Sequence, residues 1–263
     1  MAESKNIVFS VFTKPWKMPL EELADFVAGL GFDGVELPVR PEFQVEPPNI
    51  ARDLPKAART LASRGVKICS IAGPTDETAI AACAEAGVPC IRICVPVKKD
   101  ERYSEMEARV QREFDALIPA LDKYGVAIGV QNHCDRQVPH AIALRDLISK
   151  YDPRHIAAVY DPAHCALDGE RIDIAVDVLW ERLCMVNLKN AIYRRTNGPE
   201  AATVIWKKYW TGGRHGLCAW PEVAAELKSR GYRGVVCLTA EYSDHESADR
   251  LIAEDIAYAK SLF

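Results

Sequence analysis

The chain has 263 residues, of which 49% are hydrophobic and 27% are charged, and its formal net charge is −4. This composition excludes an intrinsically disordered protein, because disorder goes with few hydrophobic residues and a high net charge. The basic residues are scattered along the chain, which argues against a nucleic-acid partner. No run of about 18 apolar residues occurs, so we expect no membrane-spanning helix and no membrane partner.

The nine cysteines are odd in number and lie mostly in apolar runs that resemble strands, with no CxxC pair among them. This pattern is typical of reduced thiols in a protein core. The first ten residues, MAESKNIVFS, lack the basic start and long apolar run of a secretory signal. We therefore predict a cytoplasmic location.

Short β-branched runs alternate with longer helical patterns along the chain, which indicates βαβ units and a parallel sheet. The predicted strands are residues 7–12, 34–37, 66–71, 90–95, 127–132, 156–160, 183–188 and 235–238. Helical patterns fill each gap, and a last one covers residues 247–262. Eight such units close into a barrel, so the sequence predicts a single (β/α)₈ TIM barrel domain over residues 1–263.

A glycine follows the predicted helix and precedes the strand at five of the joints. These glycines are Gly31, Gly65, Gly87, Gly125 and Gly231. Glycine ends a helix in the left-handed backbone conformation at little steric cost, so the chain can enter the next strand within a few residues. A repeated unit of this size also occurs in solenoids, but apolar strands and a total of eight favour a closed barrel.

One interval is longer than the others, because residues 190–217 form an excess between the seventh strand and the helix that precedes the eighth. This predicted βα loop is rich in aromatic and basic residues, among them Trp206, Lys208, Trp210 and Arg214. Such a segment suits a lid over a polar or anionic ligand, and a contact between copies of the chain is the alternative.

The residues that close the predicted strands are polar, and in such barrels the site lies at the carboxyl ends of the strands. These residues are Glu36, Gln131, Asn132, His133, Asp161, His164, Asn187, Lys189, Asn190, Thr239 and Glu241. We therefore expect a small polar ligand at this end of the barrel.

Several phrases of the sequence resemble the xylose-isomerase-like barrel superfamily of sugar phosphate isomerases and epimerases. They are GFDGVEL, GVQNH, YDPAH, MVNLKN and WPEVAAELKSRGYRGVV, and they span nearly the whole chain. YDPAH and the last phrase are the more specific of them. The resemblance implies a role in carbohydrate metabolism, with proton transfer within a small ketose, polyol or related hydroxy-carbonyl compound.

The resemblance also implies a divalent metal held by Glu, Asp, His and Glu at the ends of strands five to eight. Those positions fall on Gln131, Asp161, Asn187 and Thr239, so only Asp161 keeps its residue type. A hard dication such as Mn²⁺ or Mg²⁺ needs anionic oxygen ligands to offset the loss of its water shell. We therefore expect no tightly bound cofactor, and a weak metal at Asp161 is the alternative. If the alignment of strand eight shifts by two residues, Glu241 becomes the ligand instead of Thr239.

Nearby residues are candidates for the chemistry of the site. The predicted catalytic residues are Glu36, His164, Lys189 and Glu241, and the predicted substrate-binding residues are Gln131, His133, Asn187, Trp206 and Arg214. Glu36 and Glu241 would carry protons, and a helix cap is the alternative for Glu36. Lys189 would neutralise Asp161 or form a Schiff base as in lysine aldolases. Arg214 and His215 lie in GGRHG, whose glycines would let the loop approach a ligand closely.

Two classes of function remain open. The first is an isomerase or epimerase with an altered metal site. The second is a non-catalytic sensor or partner subunit that binds a sugar-like ligand, and it is favoured by the loss of the two carboxylates that would move protons. The DNA-repair endonucleases on the same barrel fit less well, because they need more His and Glu ligands and a basic face. A homo-oligomer formed through the outer helices is compatible with the sequence.

Overall fold

The computed structural model describes residues 7–263. Its strands are β1 (Ile7–Phe12), β2 (Gly34–Pro38), β3 (Lys67–Ala72), β4 (Cys90–Cys94), β5 (Ala127–Gln131), β6 (Ile156–Tyr160), β7 (Leu183–Leu188), β8 (Asn190–Arg195), β9 (Trp206–Thr211) and β10 (Gly234–Leu238). Eight of them form a closed parallel barrel in the order β1-β10-β7-β6-β5-β4-β3-β2, while β8 and β9 pair with each other. The predicted TIM barrel is confirmed, and no end of a predicted barrel strand is wrong by more than one residue.

Helices surround the barrel and connect successive strands. They are α1 (Leu20–Gly29), α2 (Ile50–Ala62), α3 (Glu77–Ala86), α4 (Tyr103–Tyr124), α5 (Ala141–Ile148), α6 (Pro162–Leu167), α7 (Ile172–Leu179), α8 (Trp220–Ser229) and α9 (Ala248–Leu262), with 3₁₀ turns at Pro47–Asn49, Trp180–Arg182 and His245–Ser247. Within residues 7–263, no helix is long and apolar enough to cross a membrane.

All five joint glycines predicted from the sequence have the left-handed backbone. Their φ angles lie between 65° at Gly125 and 81° at Gly31. At Gly87 and Gly125 the glycine is itself the residue that ends the helix, and its N–H bonds to a carbonyl of the last turn. A side chain at these positions would be strained, so glycine sets where each helix stops and the next strand begins.

The side chains of the barrel strands alternate between an outer and an inner layer. On β2, Val35 and Leu37 are fully buried in the large core between strands and helices. A smaller apolar cluster is made of Phe12, Ala72, Val159, Met185 and Cys237. Because successive strand residues point to opposite faces, Glu36 points the other way from Val35 and Leu37, into the barrel.

All nine cysteines lie in the described residues, and none of them forms a disulfide. Seven are buried, and Cys94 and Cys184 are partly exposed. Burial raises the pKa of Cys69 to about 11 and that of Cys83 to about 12, so these thiols are protonated at neutral pH. They act as small apolar side chains of the core, as the sequence predicts.

The excess segment between β7 and α8 is largely a β-hairpin, and the prediction of an irregular loop is wrong for residues 190–195 and 206–211. β8 and β9 pair in antiparallel register over their whole length, from Asn190 opposite Thr211 to Arg195 opposite Trp206. β-Branched and aromatic residues such as Ile192, Tyr193 and Tyr209 favour strands, and this signal in the sequence was overlooked. The hairpin starts directly at the barrel mouth, since Lys189 alone separates it from β7.

Candidate functional site

A small cavity of about 130 Å³ opens at the carboxyl ends of the barrel strands. It is lined by Phe12, Lys14, Arg40, Arg92, Cys94, Gln131, His133, Asn187, Lys189, Thr239 and Glu241. Five residues predicted to bind or act on a ligand therefore lie around one space, namely Gln131, His133, Asn187, Lys189 and Glu241. Larger depressions lie elsewhere on the surface. Among the cavities described, only this one is lined by polar residues from the carboxyl ends of several barrel strands.

Asp161 lies directly behind the cavity and is fully buried. It caps the start of α6, because its Oδ1 accepts the backbone N–H groups of Ala163 at 3.1 Å and His164 at 3.2 Å. Its Oδ2 accepts the side-chain N–H of Gln131 at 2.7 Å. Burial raises the pKa of Asp161 to about 6, although Lys189 and these hydrogen bonds act in the opposite direction.

Asn132 is structural and does not line the cavity. Its side-chain N–H donates to the carbonyl oxygen of Asp161 at 2.9 Å, and its Oδ1 accepts the N–H of Asp161 at 2.7 Å. Asn132 thus pairs with both backbone groups of Asp161 and fixes the end of β5 to the end of β6.

Lys189 follows β7 and holds its ammonium group beside two carboxylates. Its Nζ lies 3.0 Å from Oε2 of Glu241 and 3.7 Å from Oδ2 of Asp161, and the ring centre of Trp210 is 4.3 Å away. Burial lowers the pKa of Lys189, but the two carboxylates outweigh it and the net shift is upward. The amine is therefore protonated at neutral pH, which suits an ion pair and not the free amine that a Schiff base requires.

Glu241 bridges two lysines at the rim of the cavity. Its Oε1 lies 2.7 Å from Nζ of Lys14, and its Oε2 receives the contact from Lys189. Burial raises the pKa of Glu241, but the two ammonium groups lower it by more, so the carboxylate stays ionised. A carboxylate with such a low pKa is a weak base, which disfavours the predicted role of Glu241 as a proton carrier.

Two histidine rings pack against each other at a tilt, one just after β5 and the other on α6. The ring centres of His133 and His164 are 3.8 Å apart. Nδ1 of His164 accepts the backbone N–H of Cys134 at 3.1 Å, so the proton of the neutral ring lies on Nε2. Nδ1 of His133 lies 2.9 Å from the carbonyl oxygen of Cys134 and 2.9 Å from the amide nitrogen of Gln137. The carbonyl contact is a hydrogen bond in the tautomer that carries its proton on Nδ1, and that tautomer has its lone pair on Nε2.

Both histidines are neutral near pH 7. Burial lowers the pKa of His133 to about 4, with a contribution from the charge of Lys189, while the carbonyl of Cys134 raises it. Burial and Lys189 also lower the pKa of His164 to well below its usual range. Of the two, His133 lines the cavity and His164 lies behind it.

Several buried polar atoms at this site have no hydrogen-bond partner among residues 7–263. They are Nδ2 and Oδ1 of Asn187, Oγ1 of Thr239 and Nε2 of His164. A buried polar group without a partner costs about 1–3 kcal/mol. Asn187 and Thr239 both line the cavity, so a polar ligand there would satisfy groups that the folded chain leaves unpaired.

Glu36 does not line the cavity, contrary to its predicted catalytic role, and it caps no helix. Its carboxylate pairs with the guanidinium of Arg92, including contacts from Nε at 3.0 and 3.2 Å, and accepts the hydroxyl of Ser70 at 3.0 Å. The ring of Phe12 lies 4.8 Å from the Arg92 guanidinium. Arg92 therefore separates Glu36 from the cavity, and a carboxylate engaged in this way is poorly placed to move a proton.

The end of the hairpin nearest the barrel covers the site, whereas the tip of the hairpin lies away from the cavity. The ring centre of Trp210 lies 5.3 Å from that of His164, and Nζ of Lys208 lies 2.6 Å from Oδ2 of Asp135. Trp206 is 61% exposed and does not line the cavity, in contrast to its prediction as a substrate contact. Trp206 is the first residue of β9, near the tip of the hairpin, so its ring belongs to the exposed surface of the hairpin and not to the site.

The GGRHG segment also differs from its prediction. A Cβ at Gly213 would lie 2.4 Å from the ring of Trp220, and a Cβ at Gly216 would lie 2.0 Å from Oδ1 of Asn190. Arg214 stacks over the ring of Tyr258 at 3.6 Å, on the outer helix α9. The glycines therefore allow close packing of the protein against itself, and Arg214 does not reach the cavity.

Three basic residues of the cavity were missed in the sequence. Arg92 interrupts the apolar run IRICV, and a charged residue at an inward position of a strand is the signal that could have identified it. Lys14 and Arg40 lie just beyond the ends of the first two strands, where site residues of such barrels are found.

The family model described as a xylose isomerase-like TIM barrel matches residues 24–262, and the chain belongs to this family. No curated protein matches the sequence. Among solved structures, D-psicose 3-epimerase from Clostridium cellulolyticum H10 has a TM-score of 0.73 at 12% identity, covering 97% of this chain and 99% of that one. The probable 3-DHS dehydratase AsbF from Bacillus anthracis has a TM-score of 0.74 at 13% identity, with coverage of 96% and 98%.

The 3-keto-D-glucoside 4-epimerase YcjR from E. coli is also similar, with a TM-score of 0.69 at 13% identity, covering 98% of this chain and 100% of that one. At such identities the likeness shows the fold alone. The solved structures that share this fold include sugar epimerases as well as a probable dehydratase, so the reaction of this chain has to be argued from its own residues.

The residues at the family's metal positions do not fit a tightly held divalent ion. The amide of Gln131 directs an N–H at Asp161, and Asn187 and Thr239 offer neutral oxygens only. The ammonium of Lys189 lies 3.7 Å from Oδ2 of Asp161 and 3.0 Å from Oε2 of Glu241, so both carboxylates at this place are already paired with a cation. A dication here would meet a like charge and would lack free anionic ligands to compensate its dehydration.

A second group of possible ligands is formed by His133, Cys134 and His164, whose ligand atoms lie within 4.8 Å of one another. Burial raises the pKa of the Cys134 thiol to about 11, although Lys208 at 2.8 Å from Sγ acts against this. A thiol binds metal as the thiolate. The protonated thiol and the hydrogen bond to Nδ1 of His164 leave this group poorly prepared for a metal.

Proposed function

We propose that the chain binds a small polyhydroxy or hydroxy-carbonyl compound in the 130 Å³ cavity and transfers a proton within it, as sugar isomerases and epimerases do. The observation that carries the proposal is the pair of buried, unpartnered side chains Asn187 and Thr239 on the cavity wall. Together they offer donors and acceptors of the kind that ligand hydroxyl groups need. A cavity of this size suits a compact ligand of a few carbon atoms.

His133 is the group of the cavity best suited to accept a proton from carbon. Its ring is neutral, and the lone pair of its Nε2 is not used by the contacts of Nδ1. The carboxylates near the cavity are all engaged. Glu36 pairs with Arg92, Glu241 pairs with two lysines, and Asp161 accepts hydrogen bonds from Gln131 and from the start of α6. The pKa of His133, about 4, makes it a weak base, so we expect slow turnover.

A single base in the cavity, His133, favours isomerisation over epimerisation. An isomerase can take a proton from one carbon and return it to the neighbouring carbon on the same face of an enediolate, with one group acting in both steps. The proton of the hydroxyl group passes to the former carbonyl oxygen, which completes the exchange. Epimerisation by proton transfer needs a proton donor on the opposite face, and the lowered pKa of Glu241 prevents it from carrying one. We therefore propose exchange of a carbonyl and a hydroxyl between adjacent carbons.

A negatively charged ligand requires a balancing positive charge in the cavity, and Arg40 provides one. Its guanidinium packs over the ring of Phe12 at 5.7 Å and has no acidic partner in the part of the chain that the structure describes. Sugar acids and sugar phosphates therefore belong in the test beside neutral sugars.

A non-catalytic sugar-binding protein is the second candidate. It is favoured by the replacement of carboxylates at positions 131 and 239 by Gln131 and Thr239, together with the engaged state of Glu36 and Glu241. Such a protein would use the same cavity and the same unpartnered groups, but it would bind without moving a proton.

The experiment that separates the two is deuterium incorporation. The purified protein is incubated in D₂O with neutral three- to six-carbon sugars, their phosphates and sugar acids, and deuterium at C–H positions is followed by NMR, while ligand binding is followed by the melting temperature. Stereospecific incorporation that is lost in His133→Gln supports the isomerase. Ligands that raise the melting temperature without incorporation support the binding protein, and the absence of both contradicts the whole proposal.

A further inference from the structure

We infer that the ammonium group of Lys189 is the fixed cation of this site and stands where the family resemblance implies a divalent metal. Its Nζ lies 3.7 Å from Oδ2 of Asp161, the one position of the metal set that keeps its residue type. It also lies 3.0 Å from Oε2 of Glu241, and the whole residue is 5% exposed. The role of this cation toward a ligand rests on the proposed function, whereas its place in the site does not.

The charges of the residues around Lys189 are balanced by a single positive charge at its position. The changes at positions 131 and 239 replace two implied carboxylates by the neutral side chains of Gln131 and Thr239. With Asp161 as the remaining charged ligand, one ammonium group balances it, and Glu241 is balanced by the more exposed Lys14. A buried charge is tolerated when it is paired, so these replacements form one consistent set.

The geometry leaves Lys189 able to act on a ligand. An ammonium group has three N–H donors. Within residues 7–263, only Glu241 accepts one of them at hydrogen-bond distance, since Asp161 is farther away. Lys189 lines the cavity beside Asn187 and Thr239, so a remaining N–H can donate to a ligand oxygen.

A cation at this place would stabilise negative charge that develops on a ligand oxygen. When a proton leaves the carbon beside a carbonyl, charge builds on the carbonyl oxygen, and a fixed donor stabilises it in a site with little water. The ring of Trp210, 4.3 Å from Nζ, covers the ammonium from the hairpin side and keeps it in place. Lys189 would thus supply the electrostatic part of the role that a metal would otherwise fill.

The test compares Mn²⁺ binding with and without the ammonium, by isothermal titration calorimetry on chelator-treated protein. Three chains are titrated with MnCl₂: the unchanged protein, a ligand-restored variant (Gln131→Glu, Asn187→His, Thr239→Glu), and the same variant with Lys189→Met. We expect no Mn²⁺ binding by the unchanged protein. We expect the variant without Lys189 to bind at least about tenfold more tightly than the variant with it, because like charges repel strongly at such distances.

Stoichiometric, micromolar Mn²⁺ binding by the unchanged protein would overturn the inference, and so would equal affinities of the two restored variants. The titration of the unchanged protein can overturn the inference even if a variant fails to fold. A matched control is Lys150→Met, which removes a lysine 3.0 Å from Asp115 on the outer surface and should not create a Mn²⁺ site. No sugar is needed, so a failure of this inference is distinguishable from a failure of the proposed function.

Discussion

The side-chain amide of Gln131 donates to Oδ2 of Asp161 at 2.7 Å, at the position where the family resemblance implies a second carboxylate. A neutral donor stabilises the buried aspartate, whereas a glutamate there would repel it. The pKa of Asp161 is already raised to about 6 by burial, so the site is sensitive to any further negative charge.

Gln131→Glu should therefore destabilise the protein more at high pH than at low pH. Below about pH 5 the two carboxyl groups can share a proton, but at pH 8 both must ionise, with a loss of roughly 2 kcal/mol in the free energy of unfolding. Urea unfolding at both pH values measures this. The control Gln131→Met removes the same amide without adding a second titratable group, so its deficit should change less between the two pH values. A deficit of Gln131→Glu that is equal at both pH values would contradict the repulsion.

Thr239→Val should stabilise the free protein and weaken ligand binding. The hydroxyl of Thr239 is buried without a partner, so its replacement by a methyl group of similar size should raise the free energy of unfolding by about 1 kcal/mol. Thr13→Val is the matched control, because the buried hydroxyl of Thr13 donates to the carbonyl of Glu36 at 3.3 Å, and its loss should destabilise by a similar amount. Chemical denaturation should show changes of opposite sign in the free energy of unfolding for the two variants. A destabilised Thr239→Val would show that the hydroxyl of Thr239 is paired in the unchanged protein.

The pair of Glu36 and Arg92 should behave as a structural unit of the barrel interior. Arg92→Met leaves the fully buried carboxylate of Glu36 without its cation and should cost about 3–5 kcal/mol. The double variant with Glu36→Leu removes both charges and should recover much of that loss. Denaturant unfolding of the two single variants and the double variant measures the coupling, and additive losses would argue against a buried ion pair.

The barrel was predictable because its signals are local. Each strand is a short apolar run, and a glycine such as Gly87 marks the end of a helix by a backbone requirement that no neighbour can change. Strand ends also placed Asn187 and Lys189 at the mouth, since all eight strands run in one direction.

The chemistry of the site was less predictable because it depends on partners from distant strands. The sequence around Glu36 suggests an unpaired carboxylate, but in the structure it forms an ion pair with Arg92. Arg92 lies 56 residues later, so no neighbouring residue in the chain predicts this pairing. The glycines around Arg214 have the same ambiguity, because a close approach to a ligand and a close approach to Trp220 need the same missing side chain.

The protonation of His133 gives a prediction for the pH dependence of stability. Burial lowers the pKa of His133 in the folded protein to about 4, from an ordinary value of 6.5. A lowered histidine pKa means that the unfolded chain takes up the proton first as the pH falls. The stabilisation is therefore complete above about pH 6.5 and is lost as the pH falls toward 4, with about 2 kcal/mol lost between pH 7.5 and pH 5.

His133→Gln should remove this dependence, because glutamine does not titrate. The difference in the free energy of unfolding between the unchanged protein and His133→Gln should therefore shift by about 2 kcal/mol in favour of the variant on going from pH 7.5 to pH 5. Urea unfolding at several pH values measures the shift. His155→Gln, which replaces a histidine outside the cavity beside Asp122, serves as the control substitution. A pH-independent difference for His133→Gln would mean that the ring has the same pKa in the folded protein as in the unfolded chain, so that burial does not keep it neutral at acid pH.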